Sequence, residues 1–178
     1  HIQTVNTIPI DFPEKYSTKF GYSKIYPKLS TYEYSERVTR IYEPKFDWII
    51  NSLSESQNYT KKEILEKKWL EIGSGAGYFL NAACKGGVRN IKGFERNDDL
   101  CNMSNETNLE SETILWKENF SDILDKTNAE IYCTFFVLEH VDDLSLIWRK
   151  IKEKPLGTIF VFSVPVFGVS SLLEEYFE

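Results

Sequence analysis

Trp69-Leu70-Glu71-Ile72-Gly73-Ser74-Gly75-Ala76-Gly77-Tyr78-Phe79-Leu80 decides the fold. A short apolar run stops at an acid, glycines alternate for five residues, and an apolar run then resumes. Glycine serves where a backbone must take positive φ or approach something closely. Three of them between a strand and a helix therefore point to a ligand lying against the chain. A dinucleotide fingerprint, G-x-G-x-x-G/A, would need a small residue where Tyr78 stands. A P-loop would need Gly-Lys-Ser/Thr, and the loop has no lysine. What fits is E-x-G-x-G-x-G, with Glu71 placed to meet a bound cation.

Working outward, the following helix is expected over Tyr78–Lys85, closed by Gly86-Gly87. Ile91–Glu95 reads as a second strand ending on an acid. Glu95 lies at the distance from the glycines at which an acid in a βαβ unit reaches a ribose, whose hydroxyls a carboxylate can accept. A helix from Asp98 to about Thr107, capped by Asn97 or Asp98, and a strand over Glu112–Trp116 come next. Ala129–Phe136 is a nearly continuous apolar run suited to a strand buried on both faces. It leads into Val137-Leu138-Glu139-His140-Val141-Asp142-Asp143. An amphipathic helix carries Leu144, Ile147, Trp148 and Ile151, and a fifth strand spans Thr158–Val164. Such alternation predicts a parallel α/β sheet with helices on both faces and a site outside the carboxyl ends of the strands.

Upstream, residues 1–30 are interrupted by Pro9, Pro13, Gly21 and Pro27 and are dense in aromatics: Phe12, Tyr16, Phe20, Tyr22 and Tyr26, followed by Tyr32 and Tyr34. They read as an arm packed on the main domain, or as a tyrosine lid over its site. Helical spacing runs from about Thr31 to Leu53, and Pro44 predicts two helices or one kinked helix. Residues 54–62 read as an exposed connection, and Glu63–Lys67 as a short turn. The division expected is an N-terminal arm and helical cap over 1–62, followed by the ligand-binding core over 63–178.

The glycine segment resembles motif I of the class I S-adenosylmethionine-dependent methyltransferases, and the segments from Lys68 to Phe167 agree with that family in order and spacing. The "LEHV-D" segment at Leu138–Asp142 is similar to that of its small-molecule members. The resemblance implies a Rossmann-like, mostly parallel sheet binding S-adenosyl-L-methionine and releasing S-adenosyl-L-homocysteine. It implies cofactor contacts at Glu71, Gly73, Ser74, Gly75, Gly77, Glu95, Arg96, Asn119, Phe120, Thr134 and Phe135. Asn119 takes the place of the acid that usually receives the adenine amino group; its amide oxygen can still accept from an amine, and in a shifted register Glu118 or Asp122 would do so. His140, the only internal histidine, has the pKa of a general base for a hydroxyl acceptor, or else packs or caps the start of a helix. Phe136 replaces the first acid of the metal-binding E-x-x-E-H variant, so no metal is expected.

The acceptor implied is a small molecule methylated at oxygen, with bacterial surface sugars and metabolite precursors among the classes considered. The alternatives are a catalytically silent domain that keeps the cofactor fold, and a nucleotide-linked dehydrogenase, which Tyr78 disfavours. The 178 residues carry 21 Lys and Arg against 27 Asp and Glu, a formal charge of −6, so a broad nucleic-acid footprint is not suggested. Thr134-Phe135-Phe136-Val137 also lacks the D/N/S-P-P-Y/F/W tetrad of amino-methylating DNA enzymes. Cys84, Cys101 and Cys133 are dispersed and odd in number, which suits reduced thiols in a cytoplasm. No apolar run has the length of a membrane span. The resembled fold continues beyond its fifth strand with an antiparallel pair. A chain running from His1 to Glu178 is therefore expected to be a piece of a longer one, with a sheet edge that invites a homodimer.

Overall fold

A computed structural model describes residues 30–165. The aromatic arm over 1–29 and the stretch after Pro165 lie outside the described residues. Five strands form one parallel sheet: β1 (Trp69–Ile72), β2 (Ile91–Glu95), β3 (Glu112–Leu115), β4 (Ile131–Phe135) and β5 (Ile159–Ser163), in the order β3-β2-β1-β4-β5. The chain winds outward from β1 to β3 and then returns to lay β4 on the other side of β1. That reversal opens a crevice at the carboxyl ends of β1 and β4, where open α/β sheets take their ligands.

The register puts Trp69 and Glu71 level with Ile131 and Cys133. Because side chains alternate across a strand, these residues share one face, and Leu70, Ile72, Tyr132 and Thr134 share the other. On the first face Trp69, Ile91 and Ile131 pack with Phe46, Ile49 and Phe79. On the second, Leu70, Phe94 and Tyr132 pack with Leu124, Leu138 and Ile147. Each fully buried Phe, Ile or Leu contributes about 1.5–3 kcal/mol, so both layers hold the sheet from which the site projects. Cys133 is 1% exposed and belongs to the first core.

The N-terminal helical region is one continuous run rather than two helices. It comprises α1 (Thr31–Arg37), a π-helical turn (Val38–Tyr42) and α2 (Glu43–Gln57). Pro44 has no N–H to offer Arg40, and the π turn just before it is the device by which the helix passes the proline. Ser30 and Glu33 form a capping box at the start, and Asn58 ends the helix in the left-handed conformation with φ 61°. The helix therefore runs to Gln57, four residues beyond the apolar spacing, through an exposed polar end. The expected loop over 54–62 shrinks to a short link before α3 (Lys61–Glu66), which Thr60 and Glu63 cap in the S/T-x-x-E manner.

The remaining helices are α4 (Tyr78–Lys85), α5 (Asp98–Thr107), α6 (Phe120–Lys126) and α7 (Leu144–Lys152). Asn97 caps α5, accepting from the Leu100 N–H at 3.0 Å, with Asp98 inside the first turn. Asp143 caps α7, accepting from the Leu146 N–H at 2.9 Å. Capping by His140 is thus corrected: His140 lies earlier, in a 3₁₀ turn over Leu138–His140.

Candidate functional site

The glycine loop turns tightly enough to need left-handed backbone at all three glycines, with φ 76° at Gly73, 55° at Gly75 and 74° at Gly77. Its geometry separates their roles. A Cβ on Gly73 would lie 2.3 Å from Val137 Cγ2, and one on Gly77 would lie 2.1 Å from Ser104 Oγ and 2.3 Å from Asn108 Nδ2. Those two glycines answer to the protein's own packing. At Gly75 no described atom comes within 4 Å of an added Cβ. The face offered to a ligand is therefore the face of Gly75. The Ser74 side chain packs inward, its Oγ 2.5 Å from the place a Cβ on Gly93 would take, so Ser74 offers the loop its backbone.

Two carboxylates flank this loop. Glu95, at the end of β2, accepts the Gly75 N–H on Oε2 at 2.7 Å, and the Arg96 and Asn97 N–H groups on Oε1 at 2.8 Å each. Burial still pushes its carboxyl above the ordinary range, against the pull of those three donors. Glu71, at 3% exposure, is buried on the face shared by α2 and α4, and its Oε2 has no hydrogen-bond partner among the described residues. Burial raises the Glu71 carboxyl well above its ordinary range; Lys45 draws it partway back and Glu95 adds to the rise. A sealed carboxylate oxygen left without a donor is costly unless something cationic or proton-bearing meets it.

A tyrosine stack covers the loop from the N-terminal side. Tyr78 lies 4.6 Å from Tyr34 and 5.3 Å from Tyr42 by ring centroid, and the Arg37 guanidinium sits 5.1 Å from its ring. The Tyr34 hydroxyl donates to the Ala76 carbonyl at 3.1 Å and accepts from Asn108 Nδ2 at 3.3 Å. Burial raises the hydroxyl pKa of Tyr34 and Tyr42, with the negative charge of Glu71 adding to it. Among the aromatics read as packed arm or lid, Tyr34 is thus fixed onto the loop itself. Tyr32 faces outward at 72% exposure, and the earlier ones lie outside the described residues.

Across the crevice, the β2–α5 and β3–α6 connections are tied together. Lys117 Nζ donates to the Arg96 carbonyl at 2.6 Å and pairs with Asp98. Asn119 begins α6, its N–H donating to Asp122 Oδ2 at 3.2 Å, and Phe120 follows in the first turn, half-buried. Glu118 is engaged by Lys126 at 2.6 Å. Of the three side chains considered for that edge, Glu118 and Asp122 already have partners, and Asn119 opens the helix between them.

At the end of β4, Thr134 is wholly buried on the face away from Glu71, and its Oγ1 has no partner among the described residues. Phe135 lies on the Glu71 face, edge-on to Phe79 at 4.9 Å. Phe136 is 55% exposed with φ 57°, a left-handed backbone that costs a phenylalanine about 1–2 kcal/mol. Two features escaped the sequence: this strained exposed ring, and Lys45, whose ammonium lies 4.3 Å from the Phe135 ring. His140 is exposed in its turn, its N–H donating to the Val137 carbonyl at 2.9 Å. Among the described residues no cluster of three His, Cys, Asp or Glu has metal-binding geometry, and no helix is long and apolar enough to cross a membrane.

No protein-family model matches the chain, and no curated protein matches it in sequence. Solved structures do match in fold. The sugar N-methyltransferase KedS8 from Streptoalloteichus sp ATCC 53650 superposes at TM-score 0.58 and 11% identity, covering 96% of this chain and 62% of that one. The plantazolicin methyltransferase BamL, solved in complex with triazolic desmethylPZN analog and SAH, gives 0.52 and 15%, covering 70% and 46%. An S-adenosylmethionine-dependent methyltransferase from Mesorhizobium loti gives 0.45 and 16%, covering 56% and 47%, so the chain spans about half the length of that relative. The chain therefore has the Rossmann-like sheet architecture shared by S-adenosylmethionine-dependent methyltransferases.

Proposed function

We propose that this chain binds S-adenosyl-L-methionine in the crevice at the carboxyl ends of β1, β2 and β4 and directs its methyl group to a small-molecule acceptor, at a hydroxyl oxygen. The observation that carries the reading is the pairing of an open Gly75 face with two carboxylates, half-buried Glu95 and buried Glu71, the latter keeping an oxygen without a partner among the described residues. These features fit the cofactor. Gly75 gives its amino-acid end a close approach, Glu71 faces its cationic part, Glu95 suits two ribose hydroxyls, and Asn119 and Phe120 border the adenine end. Gly73, Ser74, Gly77, Arg96, Thr134 and Phe135 shape the walls and the backbone edges around it.

When bound, the cofactor supplies a methyl group already activated on a sulfonium. The chain's own work is then to hold the acceptor in line and to keep water away, and positioning alone can supply much of an acceleration. His140, exposed beside the crevice, is the proposed base for the acceptor's proton. Support comes from the fold shared with methyltransferases, among them a sugar N-methyltransferase and one solved with SAH.

The test is calorimetric titration with S-adenosylhomocysteine, with NAD as a control, on the wild type and Glu95→Ala. Binding of the homocysteine product, weakened by about 1–3 kcal/mol in the variant, is the expected result. A folded wild-type chain that binds neither compound, or prefers NAD, would remove the assignment.

A further inference from the structure

The Lys45 ammonium sits in a three-ring box. It lies 4.3 Å from the centroid of Phe135, 5.1 Å from Tyr42 and 5.4 Å from Phe136, all within the range of a cation–π contact. Glu71 lies on the same sheet face as Phe135, close enough to Lys45 that each shifts the other's ionisation, and its Oε2 has no partner among the described residues. Three rings and a buried carboxylate make a site for a cation, built from three separate stretches of chain. One of its walls, Phe136, is held in strained backbone.

We infer that this box is a subsite for a ligand's ammonium or sulfonium, and that Lys45 is an internal stand-in which leaves when such a ligand enters. The inference deepens the proposed cofactor reading and rests on it for the identity of the natural ligand. Lys45 is well suited to leave. Lys45 is half-buried at the boundary between core Ile49, 2% exposed, and outward Ile41 and Trp48, 48% and 66% exposed, so the long side chain reaches water by rotating about its own bonds. Burial depresses the Lys45 pKa while Glu71 lifts it, so the ammonium is held by that carboxylate and the rings at the expense of its hydration. A ligand that brings its own cation restores the charge balance at Glu71 and returns Lys45 to solvent.

Occupancy by Lys45 lowers the apparent affinity of any cationic ligand by the fraction of molecules whose box is filled. The test uses two variants and two probes. Lys45→Met keeps the length of the side chain and removes its charge; calorimetry should show it binding S-adenosylhomocysteine about fivefold or more tightly than the wild type. Lys45→Ala empties the box; n-butylammonium chloride should raise its melting temperature above that in sodium chloride of equal strength, and leave the wild type unmoved. Equal or weaker binding of S-adenosylhomocysteine by a folded Lys45→Met chain would overturn the inference, as would butylammonium acting alike on both proteins. If neither protein binds S-adenosylhomocysteine while butylammonium selects Lys45→Ala, the cation site stands and the cofactor reading falls.

Discussion

Replacing Gly75 and Gly77 by alanine, one at a time, separates the part of the loop that serves a ligand from the part that serves the fold. In Gly77→Ala the added methyl would lie 2.1 Å from Ser104 Oγ and 2.3 Å from Asn108 Nδ2. Neither atom can move cheaply. Ser104 Oγ is hydrogen-bonded to Thr113 Oγ1 at 2.6 Å, and Asn108 Nδ2 donates to the Gly77 carbonyl at 3.1 Å and to the Tyr34 hydroxyl. Left-handed backbone costs alanine about 1–2 kcal/mol, and overpacking that disturbs buried hydrogen bonds adds about 1–3 kcal/mol. The sum, about 2–5 kcal/mol, corresponds to a fall in melting temperature of about 5–15 °C for a chain of this size. Gly75→Ala suffers only the backbone cost, about 1–2 kcal/mol, because no described atom lies near the new methyl. That methyl occupies the face offered to the cofactor, so calorimetry should show S-adenosylhomocysteine affinity reduced by about tenfold or more. The two variants must rank in opposite order, Gly77→Ala worse in urea unfolding and Gly75→Ala worse in binding. Equal loss of stability would show that Gly75 is packed after all, and Gly75→Ala binding like the wild type would place the ligand elsewhere.

Glu71→Gln should change how stability depends on pH. Because burial makes the folded Glu71 hold its proton more tightly than the unfolded chain does, its ionisation erodes stability as pH climbs from the ordinary carboxylate range through the raised folded value. Removing the charge lifts that penalty, so the melting temperature of Glu71→Gln relative to wild type should be higher at pH 8 than at pH 5; a constant difference contradicts the burial argument. Phe136→Gly relieves the φ of 57° and gives up a ring that is 55% exposed, so urea unfolding should find it at least as stable as wild type and about 1 kcal/mol above Phe136→Ala. The reverse order would mean that the ring's contacts outweigh its strain.

The parts of the chain legible in the sequence are those where a local signal and the tertiary demand agree. Gly77 and Gly86 bound α4, Glu95 ends β2, and Asn97 caps α5, each a residue whose chemistry suits one place in a βαβ unit. The end of α2 was not legible from apolar spacing, because its last turn is solvated and needs no core residue. The start of α3 could have been read from Thr60-Lys61-Lys62-Glu63, a capping box within a polar stretch. The three glycines looked alike in sequence, and only their neighbours distinguish Gly75 from the other two. Lys45 fell within the helical spacing of Tyr42, Phe46 and Ile49, but its meeting with Phe135 and Phe136 depends on how α2 crosses the end of β4, which no local pattern records. Likewise, the left-handed backbone of Phe136 could not be foreseen at a residue other than glycine.

The π turn at Val38–Tyr42 lets one rod do two jobs. In an unbroken α-helix, side chains four apart drift around the axis by about 40° at each step. Tyr34, Val38, Tyr42 and Phe46 would then fan away from a common line by about 120°. The wider turn cancels part of that drift, so the tyrosines reach Tyr78 over the glycine loop while Phe46 reaches Trp69 and Phe79 in the core. The turn behaves like a vernier between the two ends of the rod. Straightening the turn into ordinary α-helix with every residue kept would preserve the helix and its composition, yet would swing the tyrosine cover out of phase with the loop it closes.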